Sequence, residues 1–108
     1  MLININGKDI GKELPAINVI NPFNGECIDT VPDVPVELMD EAVKAAQEGL
    51  KIWGGLSQAN RNAVIYKYIQ LYESRRHEIS ELLAAETGKT LREAEDEIDV
   101  CTKVTRGY

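Results

Sequence analysis

The chain has 108 residues, 44% of them hydrophobic, which suits one small domain with its own core. It carries 12 Lys and Arg against 18 Asp and Glu, a net charge of −6, and no basic run. That balance argues against a nucleic-acid partner or an anionic membrane surface, both of which draw affinity from clustered cations. No apolar run is long enough to span a bilayer. No basic segment followed by an apolar one opens the chain, so no signal peptide is expected and the location implied is cytoplasmic.

Residues 1–35 read as short strands and turns. Ile3 and Ile5 alternate with Asn4 and Asn6, and Gly7 breaks the run. Ile17 to Ile20 is a second β-prone stretch, and Cys27 to Val31 is its expected hairpin partner. Between them lie Asn21-Pro22 and Asn24-Gly25, both turn dipeptides, the second suited to a tight turn with positive φ. Pro32 and Pro35 stop the returning strand.

From Val36 the period changes to 3.6. Met39, Ala42, Val43, Ala46, Leu50 and Trp53 form one apolar face, opposed by Asp40, Lys44, Gln47 and Lys51. Gly54-Gly55 ends this helix, and Ser57 is placed to cap the next. That helix runs from about Gln58 towards Ser74, with Ile65, Tyr68, Ile69 and Tyr72 on its apolar side. After a break near Ser74 or Arg75 a further segment runs from about His77 to Thr87. The final helix starts near Thr90, with Leu91, Ala94, Ile98, Cys101, Thr105 and Tyr108 as its stripe and Arg92, Glu95, Asp96 and Asp99 outside. Tyr108 falls in register with that stripe, which predicts further chain beyond it.

The corner Glu86-Thr87-Gly88-Lys89 stands out. Glu86 lies three residues past Leu83, which places it on the apolar face, where a carboxylate needs a partner. Gly88 suits the left-handed residue that ends a helix, and Lys89 sits where a cation favours the last carbonyls. The two cysteines, Cys27 and Cys101, belong to no Cys-x-x-Cys pair, and both are expected to be buried thiols. Whether they pair stays open, although a reducing cytosol disfavours it. His77, flanked by Arg75, Arg76 and Glu78, is expected in solvent. Trp53, Tyr66, Tyr68 and Tyr72 are expected as core and helix surface rather than stacking platforms. Asn6-Gly7-Lys8 is a turn and not a phosphate loop, because no glycine-rich pattern opens a helix there.

Several tracts together resemble the start of an NAD(P)-dependent aldehyde dehydrogenase, with a lean towards semialdehyde-oxidising members. They are Ile5-Asn6-Gly7-Lys8, the run Val19-Ile20-Asn21-Pro22-Phe23-Asn24-Gly25-Glu26, Asp40 to Ala46 with Trp53 after it, and Arg61. Glu86-Thr87-Gly88-Lys89 follows, with Glu93-Ala94 and Glu97-Ile98 behind it. The resemblance implies the N-terminal portion of that α/β fold: mainly α with a small N-terminal β-hairpin packed on three or four helices (residues 36–108). It implies a parent enzyme that oxidises an aldehyde to an acid through a cysteine thiolate with NAD or NADP. The nucleophile, general base, oxyanion ligand and nucleotide loops of the family belong to later motifs, so no catalytic or cofactor-binding role falls on any residue here and no cofactor is expected in the fragment.

Two other roles are implied. In some members a monovalent cation is held by a backbone carbonyl and an acidic side chain at the positions of Ile20 and Glu86. The alternative reading of Glu86 is a helix cap, a pair with Lys89, or a bond to buried backbone. The last helix of the family borders the substrate tunnel, which would place Glu97 and Cys101, four residues apart, on that wall. The alternative is a core Cys101 and a solvated acidic face made by Glu93, Glu95, Asp96, Glu97 and Asp99. The expected partners are the remainder of an aldehyde dehydrogenase chain and further copies of itself, since apolar faces would stay exposed. The competing reading is a stand-alone helical interaction module that shares the ancestry.

Overall fold

The computed structural model describes residues 2–107. The expectation for Tyr108 lies outside the described residues. The elements are β1 (Ile3–Ile5), β2 (Lys8–Ile10), β3 (Ala16–Ile20), β4 (Cys27–Pro32), α1 (Val36–Gly54), α2 (Gln58–Ser74), α3 (Arg76–Thr87) and α4 (Leu91–Gly107). The chain is therefore mainly helical, as expected, with four helices. The β part differs from the single hairpin expected, being two separate antiparallel pairs, β1 with β2 and β3 with β4. The extra pair follows from Asn6 (φ 52°) and Gly7 (φ 77°), which both adopt positive φ and so fold the chain straight back. Asn4 ties that turn, accepting from the Gly7 N–H and donating to Asp9.

The chain divides into two compact units. The first comprises residues up to Ile20 together with Cys27–Leu56, and the second Asn21–Glu26 with the chain from Ser57 onwards. In the first unit β3 pairs with β4 from Ala16–Pro32 through Ile20–Cys27, with a bulge at Val19/Ile20. Helix α1 packs on β1. Its expected apolar face is not a core face, however. None of its residues is buried, and Met39, Val43, Leu50 and Trp53 are all exposed.

The second unit holds the core of the described residues. Helices α2 and α3 both pack on α4. Ile69 of α2, Ser80 of α3, and Ala94, Ile98 and Thr102 of α4 are buried. Small side chains at the α3–α4 contact let the two backbones approach closely. The buried hydroxyls are satisfied within their own helices, Ser80 donating to the Arg76 carbonyl and Thr102 to that of Asp99. This corrects the expected stripe on α4. Stepping by four from Ala94 and Ile98 reaches Thr102, while Cys101 is exposed. Ser57 caps α2 as expected, accepting from the Asn60 N–H at 3.2 Å. The break between α2 and α3 falls at Arg75.

Candidate functional site

The corner between α3 and α4 is built by local rules. The Gly88 amide donates to the Ala84 carbonyl at 2.9 Å, and its φ of 74° is left-handed, as expected from sequence. A side chain is excluded there for a second reason. A Cβ on Gly88 would sit 2.9 Å from Pro22 Cγ, in the turn formed by Asn21–Glu26. That turn is internally tied: Asn21 donates to the Glu26 carbonyl and accepts from Gly25, each at 2.8 Å. Beyond the glycine, Thr90 and Glu93 cap α4 reciprocally. The Thr90 N–H and hydroxyl both donate to the Glu93 carboxylate at 2.9 Å, and the Glu93 N–H donates back to the Thr90 hydroxyl. The Thr90 amide, followed by its hydroxyl, holds the Glu93 carboxyl below the usual carboxylate range.

Between the turn and the corner lies a cleft of about 350 Å³, lined by Asn21, Phe23, Ala84, Ala85, Gly88, Lys89 and Thr90. Its one cation, Lys89, pairs with Glu97 of α4. The partner of Lys89 is thus Glu97 and not Glu86, the pair the sequence reading allowed.

Glu86 is exposed, not on the inner face. The residue of α3 turned fully inward is Ser80. Six residues further along, at about 100° each, Glu86 points about 120° away from it. Ile20, the other cation-ligand candidate, closes β3 in the first unit and is exposed. Among the described residues, no group of three or more His, Cys, Asp or Glu is placed to hold a metal ion.

Glu97 and Cys101 share a solvent-facing side of α4, but each has its own neighbour. Glu97 meets Lys89, and Cys101 lies beside Tyr72 of α2. Burial first, and then Cys101, push the Tyr72 phenol up. Tyr72 also stacks on Tyr68, with ring centroids 5.7 Å apart. Both cysteines are free and exposed, which corrects the expectation of buried thiols. The Cys27 thiol, exposed at the start of β4, donates to the Asp29 carbonyl at 3.4 Å.

The strongest polar link in the second unit was not singled out by the sequence reading. Arg76 of α3 meets Asp99 of α4 and reaches Glu95 at 3.2 Å. Thus Glu95 and Asp99 do not belong to a solvated acidic face: they are half-buried and turned to α3. His77 is exposed as expected, with Glu81 at 3.4 Å and Glu95 at 3.8 Å, so it forms ion pairs only when protonated. A sequence signal existed, because Glu95 and Asp99 sit four apart and share a helix face, but nothing local named the partner.

Neither the start of α4 nor the Asn6-Gly7 turn fits the phosphates of a dinucleotide. The phosphates of such a cofactor need a helix N-terminus or a glycine-rich turn with free amides. At the start of α4 the Thr90 amide is occupied by Glu93, and Asn6-Gly7 closes a hairpin.

The chain matches the sequence profile of the aldehyde dehydrogenase family over residues 10–108. It is 36% identical over 98 residues to a malonate-semialdehyde dehydrogenase of Bacillus cytotoxicus, covering 88% of this chain and 20% of that protein. It thus spans about a fifth of the length of the curated relatives it matches. Among solved structures, an NAD-dependent benzaldehyde dehydrogenase from Corynebacterium glutamicum superposes with a TM-score of 0.88 at 29% identity, over 95% of this chain and 23% of that one. A succinate-semialdehyde dehydrogenase from Burkholderia pseudomallei gives 0.88 at 25% identity, over 94% and 21%. The aldehyde dehydrogenase 21 of Physcomitrella patens shares the fold, at 0.91 and 22% identity, over 97% of this chain and 22% of that one. With 99 of its 108 residues inside the family profile (positions 10 to 108), the chain belongs to the aldehyde dehydrogenase family.

Proposed function

We propose that this chain is the N-terminal scaffold of an oxidoreductase that converts an aldehyde to a carboxylic acid with NAD or NADP. In this reading the nucleophile and the nucleotide pocket come from polypeptide outside these residues. The observation that carries it is the 36% identity to a malonate-semialdehyde dehydrogenase confined to about a fifth of that protein's length. The same relative favours a semialdehyde as substrate. The chemistry of the two thiols agrees. Activation of a thiol needs an adjacent base or cation, whereas Cys27 meets a carbonyl and Cys101 a phenol.

The direct test is aldehyde-dependent NADH or NADPH formation by the purified 108-residue chain, with malonate semialdehyde and benzaldehyde as substrates. No turnover is expected, and a real rate overturns the proposal. Reading the gene beyond Tyr108 tests the other half: an open frame with a downstream Gly-Gln-x-Cys stretch is expected, and a stop codon there favours a stand-alone interaction module. That second reading has one observation in its favour, the exposed apolar face of α1.

Two roles in the whole enzyme belong to the same proposal. Glu97 and Cys101 border the substrate path, and an enzyme altered at Glu97 with unchanged kinetic constants for every aldehyde would remove that role. The Ile20 carbonyl and the Glu86 carboxylate are hard oxygen donors of the kind a monovalent cation takes. Rubidium soaked into the intact enzyme without anomalous signal at Glu86 would remove it.

A further inference from the structure

The corner between α2 and α3 lacks the usual marks of a helix end. One residue, Arg75, separates the two helices. It closes α2 in place of a left-handed glycine and opens α3 without a side-chain cap. No Gly or Pro lies between Leu56 and Thr87. The local cause of the break is Ser74. Its hydroxyl donates to the Leu71 carbonyl at 2.8 Å, the group that the Arg75 amide would take in an unbroken helix. That amide donates to the Tyr72 carbonyl instead, at 3.2 Å. The inward-facing period runs straight through the corner. Ile65, Ile69, Tyr72, Arg76, Ile79 and Leu83 follow at steps of four, three, four, three and four, and each is buried or half-buried.

Helix α4 holds both sides of the corner. Arg106 Nη2 donates to Glu73, at the end of α2, at 2.6 Å. Arg76, at the start of α3, grips Asp99 and reaches Glu95. Asp99 and Arg106 lie seven residues apart, two turns along one side of α4, and carry opposite charge. An acid on α2 thus meets a base of α4, and a base on α3 meets its acids. Without α4 these charges would not be stranded. In an unbroken helix Glu73 lies three residues from Arg76 and four from His77, the spacings at which helical side chains pair. An unbroken helix would also give the Arg76, His77 and Glu78 amides the Tyr72, Glu73 and Ser74 carbonyls as partners. The folded corner has instead the α4 links and the packing of α3 on α4. One sequence therefore supports two arrangements, one richer in backbone bonds and the other in contacts with α4.

We propose that α2 and α3 form a conformational switch: one helix from Gln58 to Thr87, folded at Ser74 and Arg75 while Arg76 and Arg106 tie it to α4, and straight when those ties are released. The inference goes beyond the functional reading and does not depend on it.

Paired spin labels at two exposed positions read the shape, with Ala63→Cys and Glu86→Cys in a chain carrying Cys27→Ser and Cys101→Ser. A straight helix sets positions 63 and 86 about 35 Å apart at 1.5 Å per residue, and the folded corner sets them closer. Asp99→Asn with Arg106→Gln should raise the 35 Å population roughly five- to thirty-fold, the effect of losing two partly exposed ion links. Helical circular dichroism should be undiminished. Ser74→Ala, which leaves Arg76 and Arg106 in place, should raise the same population. One short distance in the parent and in both variants overturns the proposal. So does a long distance that appears only as the helical signal is lost, because that is unfolding.

Discussion

Arg76 holds Asp99 in a two-pronged grip, Nε to Oδ1 at 2.8 Å and Nη2 to Oδ2 at 3.1 Å, and so fastens the first turn of α3 to the middle of α4. A planar guanidinium matches a carboxylate in this way more closely than an ammonium could. The Arg76 hydrogen bonds hold the Asp99 carboxyl below its ordinary range, and Asp99 in turn raises the Arg76 guanidinium.

Acid should loosen this link. A carboxyl whose folded-state pKa is depressed lends stability that is fully present above its unfolded value, about 4, and is lost as pH falls through the folded value. Glu93 behaves with the same sign through its Thr90 contacts. The melting temperature of the chain should therefore fall steeply below about pH 4. Asp99→Asn should melt lower at neutral pH and lose part of that acid dependence, as followed by circular dichroism. An acid profile identical to the parent's would show that the pair contributes nothing.

Gly88 and Gly25 both adopt positive φ, at 74° and 76°, yet only Gly88 is crowded, by Pro22. Gly25→Ala should cost about 1 kcal/mol, the strain of a left-handed alanine. Gly88→Ala should cost about 3 kcal/mol, because the clash adds to the same strain. Urea denaturation of the two variants side by side measures the difference. Equal costs would mean that the Pro22 contact yields freely.

Ile98 is 3% exposed on α4, whereas Leu71 on α2 is 58% exposed. Ile98→Ala should destabilise by about 2–5 kcal/mol, and Leu71→Ala by no more than about 0.5 kcal/mol. All the buried hydrophobic residues among those described lie in the second unit. Amide hydrogen exchange should accordingly be slowest in α4 and the inner turns of α2 and α3, and faster throughout α1. Protection of α1 equal to that of α4, measured at a concentration too low for association, would contradict this.

Both thiols should react in the folded protein. Cys27 and Cys101 are exposed, so a chromogenic disulfide reagent should titrate two thiols per chain without denaturant. Reaction of fewer than two before unfolding would restore the buried thiols that the sequence suggested.

Helix ends and turns were legible in the sequence because they depend on neighbours within a few residues. Ser57, Gly88 and Thr90 mark helix termini through groups that lie within three or four positions of them. The β3–β4 hairpin was legible by the same logic, and so was the family resemblance. What faces what was not. Glu86, three residues past Leu83, looked inward, and Cys101 looked like core because it is apolar. Their real placement depends on which side of each helix meets another, and helical periodicity gives a face without giving its neighbour. The partners of Arg76 and Lys89 lie 23 and 8 residues away, on a helix whose rotation is set by the packing of Ser80, Ala94 and Ile98. Local chemistry thus determined the elements and their ends, and only the assembled helices decided which charges meet and which apolar face stays bare, because burial belongs to pairs of surfaces and not to a residue.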